Sequence, residues 1–400
     1  MRRRSATGRG RTPGSDGAAP VTRVLVLNAG SSTLKASVLE VSPTAPLEPV
    51  EPIAAIAESW GSDATRAPDR AQGLASALER LGTPRVEVVG HRVVHGGERF
   101  VEPTVVDDAV VDELDALSPL APLHNPVAVE TLRAARALVG GVPHVAVFDT
   151  AFHATLPEAQ VRYPVPASWR QEHGVRRYGF HGLSVEWATA RAAALLGRRL
   201  NELALVVAHL GSGCSLTAVL GGRSVATSMG LTPLEGPMMG TRAGSIDPGI
   251  LLHLLRRGVP LEELTEVLDH ESGLLGVSAV SGDVREVRAA AAGGSPDAAL
   301  ALEMFADRAA GWIALMTTAL ERLDGLVFTA GIGEHDGEVR ASIVRRLGVL
   351  GFDEAAVRGA AAGVAEDGVL AGGPPAVLRV GAREDVVIAR AAARLGGRMS

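Results

Sequence analysis

One strand-turn-strand pattern occurs twice in this chain, and no other feature limits its fold as much. The first copy, residues 24–39, opens with the apolar run Val24-Leu25-Val26-Leu27. It turns through Asn28-Ala29-Gly30-Ser31-Ser32-Thr33 and leaves through Leu34, Ala36 and Val38. A short apolar run bounded by turn chemistry reads as a buried strand. The second copy opens with residues 203–208 and turns through His209-Leu210-Gly211-Ser212-Gly213-Cys214-Ser215. One constant shift pairs Asn28 with His209, Gly30 with Gly211, Ser31 with Ser212, Val38 with Val219 and Leu39 with Leu220. The repeat predicts a duplicated α/β domain with two phosphate-binding hairpins facing each other. Such a turn aims backbone N–H groups and hydroxyls at an anion. Lys35 adds a compact point charge, the usual partner of a nucleotide phosphate. It is the only lysine among 39 basic residues. The plainer reading is a tight hairpin with a surface lysine.

A length of 400 residues suits two domains. Aromatic residues make up 3% and the net charge is −6, which argues against nucleic acid as a partner. The single cysteine, Cys214, excludes an internal disulfide and a cysteine-based zinc site and suits a cytoplasmic location. No apolar run approaches the roughly 18 residues that span a bilayer, so no membrane partner is expected. Residues 1–20 carry Arg2, Arg3, Arg4, Arg9 and Arg11 against Asp16 among Gly, Ser and Pro. They read as a disordered basic tail without the apolar centre of a secretory signal; a nucleic-acid-binding arm is the sharper alternative.

Further along, residues 41–70 read as surface loop, and helices are expected over 71–81, 107–117 and 125–138. Asn125-Pro126 is expected to cap the last of these. Strands 86–89 and 145–148 deliver the polar segments Gly90-His91-Arg92 and Asp149-Thr150. Ligands collect at such carboxyl strand ends in open α/β sheets. Residues 151–180 read as a loop-rich connection, and Ser184 is expected to cap a helix reaching residue 200. A long helix is expected over 298–323, a strand over 326–329 and a closing helix over 384–395.

Several residues suit phosphoryl chemistry. Arg92 and Arg242 lie in glycine-containing loops, where guanidinium groups grip a carboxylate or phosphoryl group in bidentate fashion; a structural ion pair is the alternative. His181 suits charge stabilisation on a transferring phosphoryl group, or a hydrogen-bonded core position. Asp149 is a salt-bridge partner or an orienting carboxylate. Glu384 is an N-terminal helix residue or a carboxylate reaching a magnesium ion. Gly331 and Gly333 form a helix-entry turn or let a nucleotide approach the backbone. His91 and His95 have a spacing that invites zinc, but Gly96-Gly97 would break a helix there and no glutamate lies between them as a base.

Taken together, the chain from about residue 23 to 395 resembles the acetate/propionate/butyrate kinase family of the actin-like phosphotransferase superfamily. The resemblance rests on the Asn28 turn with Lys35, Gly90-His91-Arg92-Val93-Val94-His95-Gly96-Gly97, and Pro122-Leu123-His124-Asn125-Pro126. It continues through Phe148-Asp149-Thr150-Ala151-Phe152-His153, Tyr178-Gly179-Phe180-His181-Gly182, Met239-Gly240-Thr241-Arg242 with Asp247-Pro248-Gly249, and Thr329-Ala330-Gly331-Ile332-Gly333-Glu334. It implies two actin-like (ribonuclease H-like) domains with mixed sheets flanked by helices and the active site in the cleft between them. Residues 21–150 with 384–400 would form one domain and 151–383 the nucleotide-binding domain. The implied reaction is Mg-ATP-dependent phosphorylation of acetate to acetyl phosphate and ADP, with manganese as an alternative metal and a homodimer as the assembly.

Residue by residue, the resemblance implies Asn28 and Glu384 at the metal, Arg92 at the carboxylate, and Val94, Leu123, Phe180 and Pro233 around the methyl group. Asp149, His181 and Arg242 are implied as catalytic. Lys35, His209, Leu210, Gly211, Ser212, Gly213, Asp283, Val284, Arg285, Gly331, Ile332, Gly333, Glu334 and His335 are implied at the nucleotide. Ser212, Ser245 and His335 depart from the family pattern, at positions that bear on the choice of nucleotide. A non-catalytic ATP-binding regulator is the rival of another class, since a fold alone does not decide function. A propionate or butyrate kinase is the nearer rival.

Overall fold

The computed structural model describes residues 21–30, 33–59, 70–82, 85–122, 124–360 and 367–397. The basic tail 1–20, Ser31, Ser32 and Leu123 lie outside the described residues.

The strands, in chain order, are β1 (Thr22–Ala29), β2 (Thr33–Val41), β3 (Ala54–Ser59), β4 (Val88–Val93), β5 (Thr104–Val105) and β6 (His144–Phe148) in the first half. The second half holds β7 (Ala204–Leu210), β8 (Cys214–Leu220), β9 (Arg223–Thr227), β10 (Gly325–Thr329), β11 (Gly368–Ala371) and β12 (Ala376–Arg379). They form two six-stranded mixed sheets, ordered β3-β2-β1-β4-β6-β5 and β9-β8-β7-β10-β12-β11. In each, an antiparallel three-strand meander leads into three parallel strands, and an antiparallel strand closes the far edge. The two sheets therefore share one topology, as the repeated hairpin predicts.

The match between the hairpins slips after the turn. Leu25 faces Val38 across the first hairpin, whereas Val206 faces Ala218 across the second. The second turn is one residue shorter, so Val38 and Leu39 correspond to Ala218 and Val219 rather than to Val219 and Leu220.

The apolar runs do what their burial requires. β6 and β7 are buried along their whole length, as befits strands covered on both faces. An apolar layer joins the two sheets: Val24, Val26 and Val147 on one side, Leu205, Val207 and Val327 on the other. Helices Gly182–Leu196 and Glu384–Gly396 lie between, contributing Leu183, Trp187, Val386 and Ile388. Trp187 donates its indole N–H to the Gly381 carbonyl at 2.7 Å. The 22-residue helix Pro296–Thr317 fills the core of the second half, capped by Ser295.

Some expectations need correction. A strand, β3, lies within the expected loop 41–70; its small alternating side chains Ala54, Ala55 and Ala57 give little apolar signal. The long helix ends at Thr317, short of residue 323. Ser184 caps nothing, because its helix starts two residues earlier at Gly182 and ends at Leu196. Asn125 lies inside its helix, which follows His124; its amide clamps the His95 backbone at 3.0 Å in both directions. His91 and His95 do not share a ligand: His91 pairs with His144 at 2.9 Å, and His95 stacks edge-on against Tyr178. No described helix is long and apolar enough to cross a membrane.

Candidate active site

Three adjacent parallel strands end at one place. Asn28 lies near the end of β1, Arg92 is the penultimate residue of β4, and Asp149 directly follows β6. Arg92 grips Asp149 with Nε at 3.0 Å from Oδ1 and Nη2 at 2.6 Å from Oδ2. Its Nη1 donates to Asn28 Oδ1 at 3.1 Å and lies 3.4 Å from a Glu384 oxygen. The Asn28 amide donates to Glu384 Oε2 at 3.0 Å. Glu384 opens its helix, where the helix dipole favours a carboxylate.

Burial opposes the charge on Arg92, but Asp149 and Glu384 outweigh it and hold the guanidinium more firmly protonated than usual. Burial pushes Glu384 up, yet Arg92, His209, the Asn28 amide and Lys35 together hold it below its ordinary value. Burial keeps Asp149 above its ordinary value against the pull of Arg92. Lys35 is exposed on β2, directly opposite Asn28 in the hairpin register.

The second half supplies the opposite wall. His181 occupies a left-handed backbone conformation, φ 59°, at the head of its helix. Gly182 follows, its N–H on the Asp149 carbonyl at 2.9 Å. A side-chain carbon at Gly182 would sit 2.2 Å from that carbonyl oxygen. Only glycine allows the helix to start against the end of β6, and strain of this kind collects at functional sites. The His181 ring lies 4.0 Å from the His209 ring, nearly parallel, with Nδ1 at 3.0 Å from Ser215 Oγ. Ser184, instead of capping, sits 2.9 Å from His209 Nδ1.

Burial first, then the charges of His209, Arg92, Arg242 and His124, drives the His181 imidazole well below its ordinary pKa. It is neutral at pH 7, a hydrogen-bonding group rather than the cation that a sequence reading of charge stabilisation suggests. Arg242 reaches the Pro233 carbonyl and His124 Nε2, each at 3.5 Å, with Asp269 at 3.9 Å. A carbon added at Gly213 would meet the His181 ring at 3.4 Å and Arg242 Nη1 at 3.7 Å, so this loop runs between the two.

The nucleotide positions divide. Gly211, exposed Ser212 and Gly213 form the turn of the second hairpin, with Gly331 open on one side. His209 is buried with its ring stacked on that of His181, and burial lowers it to about 4. Leu210 and Val284 turn into the core, which leaves only their backbone for a ligand. Asp283 caps its helix and pairs with exposed Arg285. Glu334 accepts the Ala382 N–H at 2.9 Å, and His335 is exposed. Val94 and Pro233 are half-buried and Phe180 is buried. The sequence pointed to no site role for His124, Ser184, Ser215 or Asp269. His124 lies within Pro122-Leu123-His124-Asn125-Pro126, but nothing in that stretch signals its contact with Arg242.

The chain has counterparts among known proteins. The model of the acetokinase family matches residues 23–390. An acetate kinase of Deinococcus radiodurans is 48% identical over 94% of this chain and 98% of its own length. One of Leifsonia xyli is 45% identical over 93% and 98%. Among solved structures, Porphyromonas gingivalis acetate kinase has a TM-score of 0.81 at 32% identity, covering 94% of this chain and 100% of that one. A propionate kinase from Francisella tularensis has a TM-score of 0.80 at 34% identity, covering 92% and 98%. With its duplicated mixed sheets and a family match that runs nearly its whole length, this chain belongs to the acetokinase family.

Proposed function

We propose that this chain phosphorylates acetate reversibly with ATP, giving acetyl phosphate and ADP. The observation that carries the reading is convergence: Arg92 from one half and Arg242 from the other both lie close enough to act on the buried His181 ring. A metaphosphate-like transition state spreads negative charge over its equatorial oxygens, so catalysis is mostly positioning and electrostatic stabilisation. In the forward step an acetate oxygen forms a bond to the γ-phosphorus while the bond from phosphorus to the β–γ bridging oxygen breaks. ADP carries away the electron pair. Acetate is ionised at pH 7, so no strong base is needed.

In this reading Arg92 binds the carboxylate, held rigid by Asp149 on one side and Asn28 on the other. Asp149 orients Arg92 and takes no proton. Arg242 offers charge to the phosphoryl oxygens. His181, with Nδ1 engaged by Ser215, offers Nε2–H as a neutral donor. Val94, Phe180 and Pro233 are the walls proposed for the methyl group.

The donor chemistry suits a magnesium ion. Asn28 and Glu384 would supply an amide oxygen and an ionised carboxylate, and they already lie together, with the Asn28 amide N–H donating to Glu384 Oε2 at 3.0 Å. Mg²⁺ favours such sparse oxygen sets when phosphates and water complete its shell. No cluster of three or more His, Cys, Asp or Glu among the described residues offers a full protein cage. When bound, the ion would bridge and neutralise phosphate charge.

The same reading divides the chain into a domain of residues 21–150 with 384–397 and another of 151–383. The two sheets and the segments that cross between them near Asp149 and Glu384 support that division. A second copy is proposed to cover the helices Pro248–Arg256 and Leu261–His270, which leave Ile250, Leu252, Leu255 and Leu261 exposed. A cytoplasmic location accords with a lone, buried cysteine.

An acyl-hydroxamate assay on purified protein with ATP, magnesium and acetate tests the reaction. Absence of hydroxamate would refute it in favour of an ATP-binding regulator. Likeness to a propionate kinase favours one second reading, in which propionate is the better acceptor; relative turnover on acetate, propionate and butyrate separates the two.

A further inference from the structure

The loop that carries Pro233 is held by a hydrogen-bonded strut outside the catalytic cluster. Tyr163 belongs to the connection between the halves. Its hydroxyl accepts the Leu231 N–H at 3.2 Å and donates to Glu235 Oε2. One phenol oxygen thus holds the chain on both sides of Pro233, two residues before it and two after. Glu235 Oε1 accepts from Arg177 Nη2 at 2.8 Å. Arg177 Nη1 then donates to the Ser228 and Met229 carbonyls at 3.0 and 2.8 Å, where the loop begins. Its guanidinium lies 5.2 Å from the centre of the Tyr163 ring. The Gly230 carbonyl accepts from the Tyr178 N–H at 3.0 Å, two residues before Phe180.

Gly230 makes room for this strut. A carbon added there would fall 2.0 Å from both the Tyr163 hydroxyl and the Glu235 carboxylate. Pro233, at the apex, gives its carbonyl to Arg242. A shift of this bracket therefore moves one wall of the acyl pocket and one anchor of Arg242 together.

We propose that Tyr163 and Glu235 are positioning residues that fix Pro233 and so set the length of acyl chain the site accepts. This rests on the reading of Pro233 as a pocket wall. The physical ground is leverage. A methylene in an apolar pocket changes discrimination by only about 10–200-fold, so a wall displaced by a fraction of its size alters the preference measurably. Residues that hold a wall rigid control specificity without touching substrate.

The test is steady-state kinetics of Tyr163→Phe, which deletes the bracket's oxygen and keeps the ring. Glu235→Gln is the second variant, for use if the first does not fold. The expected result is a rise of about threefold or more in the propionate-to-acetate ratio of kcat/KM, with a higher KM for acetate and the KM for ATP unchanged. Equal rises in both KM values, or a lowered melting temperature with an unchanged ratio, would overturn the proposal. Pro233→Ala, assayed in parallel, locates a failure. If it shifts the ratio while Tyr163→Phe and Glu235→Gln do not, the strut fails and the pocket stands. If Pro233→Ala and Val94→Ala also leave the ratio unchanged, the pocket reading itself falls and the proposal with it.

Discussion

Arg92 illustrates how one side chain is prepared for an anion. Asp149 engages Nε and Nη2, leaving Nη1 beside Asn28 and Glu384. Removing such a charge-stabilising donor costs on the order of a hundredfold or more in rate. Arg92→Ala and Arg242→Ala should each lose about that much kcat/KM in the hydroxamate assay; parental rates would contradict the assignment. Asp149→Asn should lower kcat while leaving the KM for ATP near the parent, because it frees Arg92 without touching the nucleotide. The buried histidines predict a pH dependence of stability. Burial lowers His95, His153 and His209 to about 4. Their unfolded value is about 6.5, so between these limits the unfolded chain binds more protons than the folded one. Stability is therefore complete above about pH 6.5 and falls as the pH drops toward 4, by up to about 1.4 kcal/mol per unit for each histidine. Urea midpoints measured across this range check the slope; a flat profile would contradict it.

Two helices bring the halves together. Helix Gly182–Leu196 follows His181, and helix Glu384–Gly396 opens with Glu384, so each carries a proposed site residue at its head. The first depends on the close approach of Gly182 to the Asp149 carbonyl. Gly182→Ala forces the strand end and the helix start apart. It should reduce activity more than a surface Gly→Ala does, and lower the urea midpoint by the equivalent of a few kcal/mol. Comparable activity and midpoint in this variant would show that the helix start is not held there. The cap on the long central helix is a milder case. Ser295 accepts from the Ala298 N–H at 3.3 Å. Ser295→Ala should cost about 1 kcal/mol without changing either KM.

Across the whole molecule, two similar sheets are joined through a shared apolar layer and two crossing segments. That construction permits hinge closure, which in kinases excludes water and completes the site. Small-angle scattering should show a smaller radius of gyration with nucleotide and acetate together than without them; identical profiles would count against closure. The uncovered helices Pro248–Arg256 and Leu261–His270 put a second expectation at this scale. Leu252→Glu should shift sedimentation from dimer toward monomer, and an unchanged sedimentation coefficient would remove that face from the interface.

The amino-acid sequence by itself determined the duplicated architecture, because apolar runs and polar turns are local signals that survive in a single chain. Asn28, Arg92, Asp149, His181, Arg242 and Glu384 could be singled out as candidates, since each lies beside a glycine turn, a strand end or a helix start. The edge strands β3 and β11 were not, for each is short and carries little periodic apolar signal. Nor was the one-residue difference between the hairpins, which is a property of register. Only the tertiary structure decided that His209 lies beneath His181, that His124 meets Arg242, and that Tyr163 brackets Pro233. Those are contacts between side chains far apart along the chain, and burial, which makes the histidines neutral, exists only once the sheets have packed.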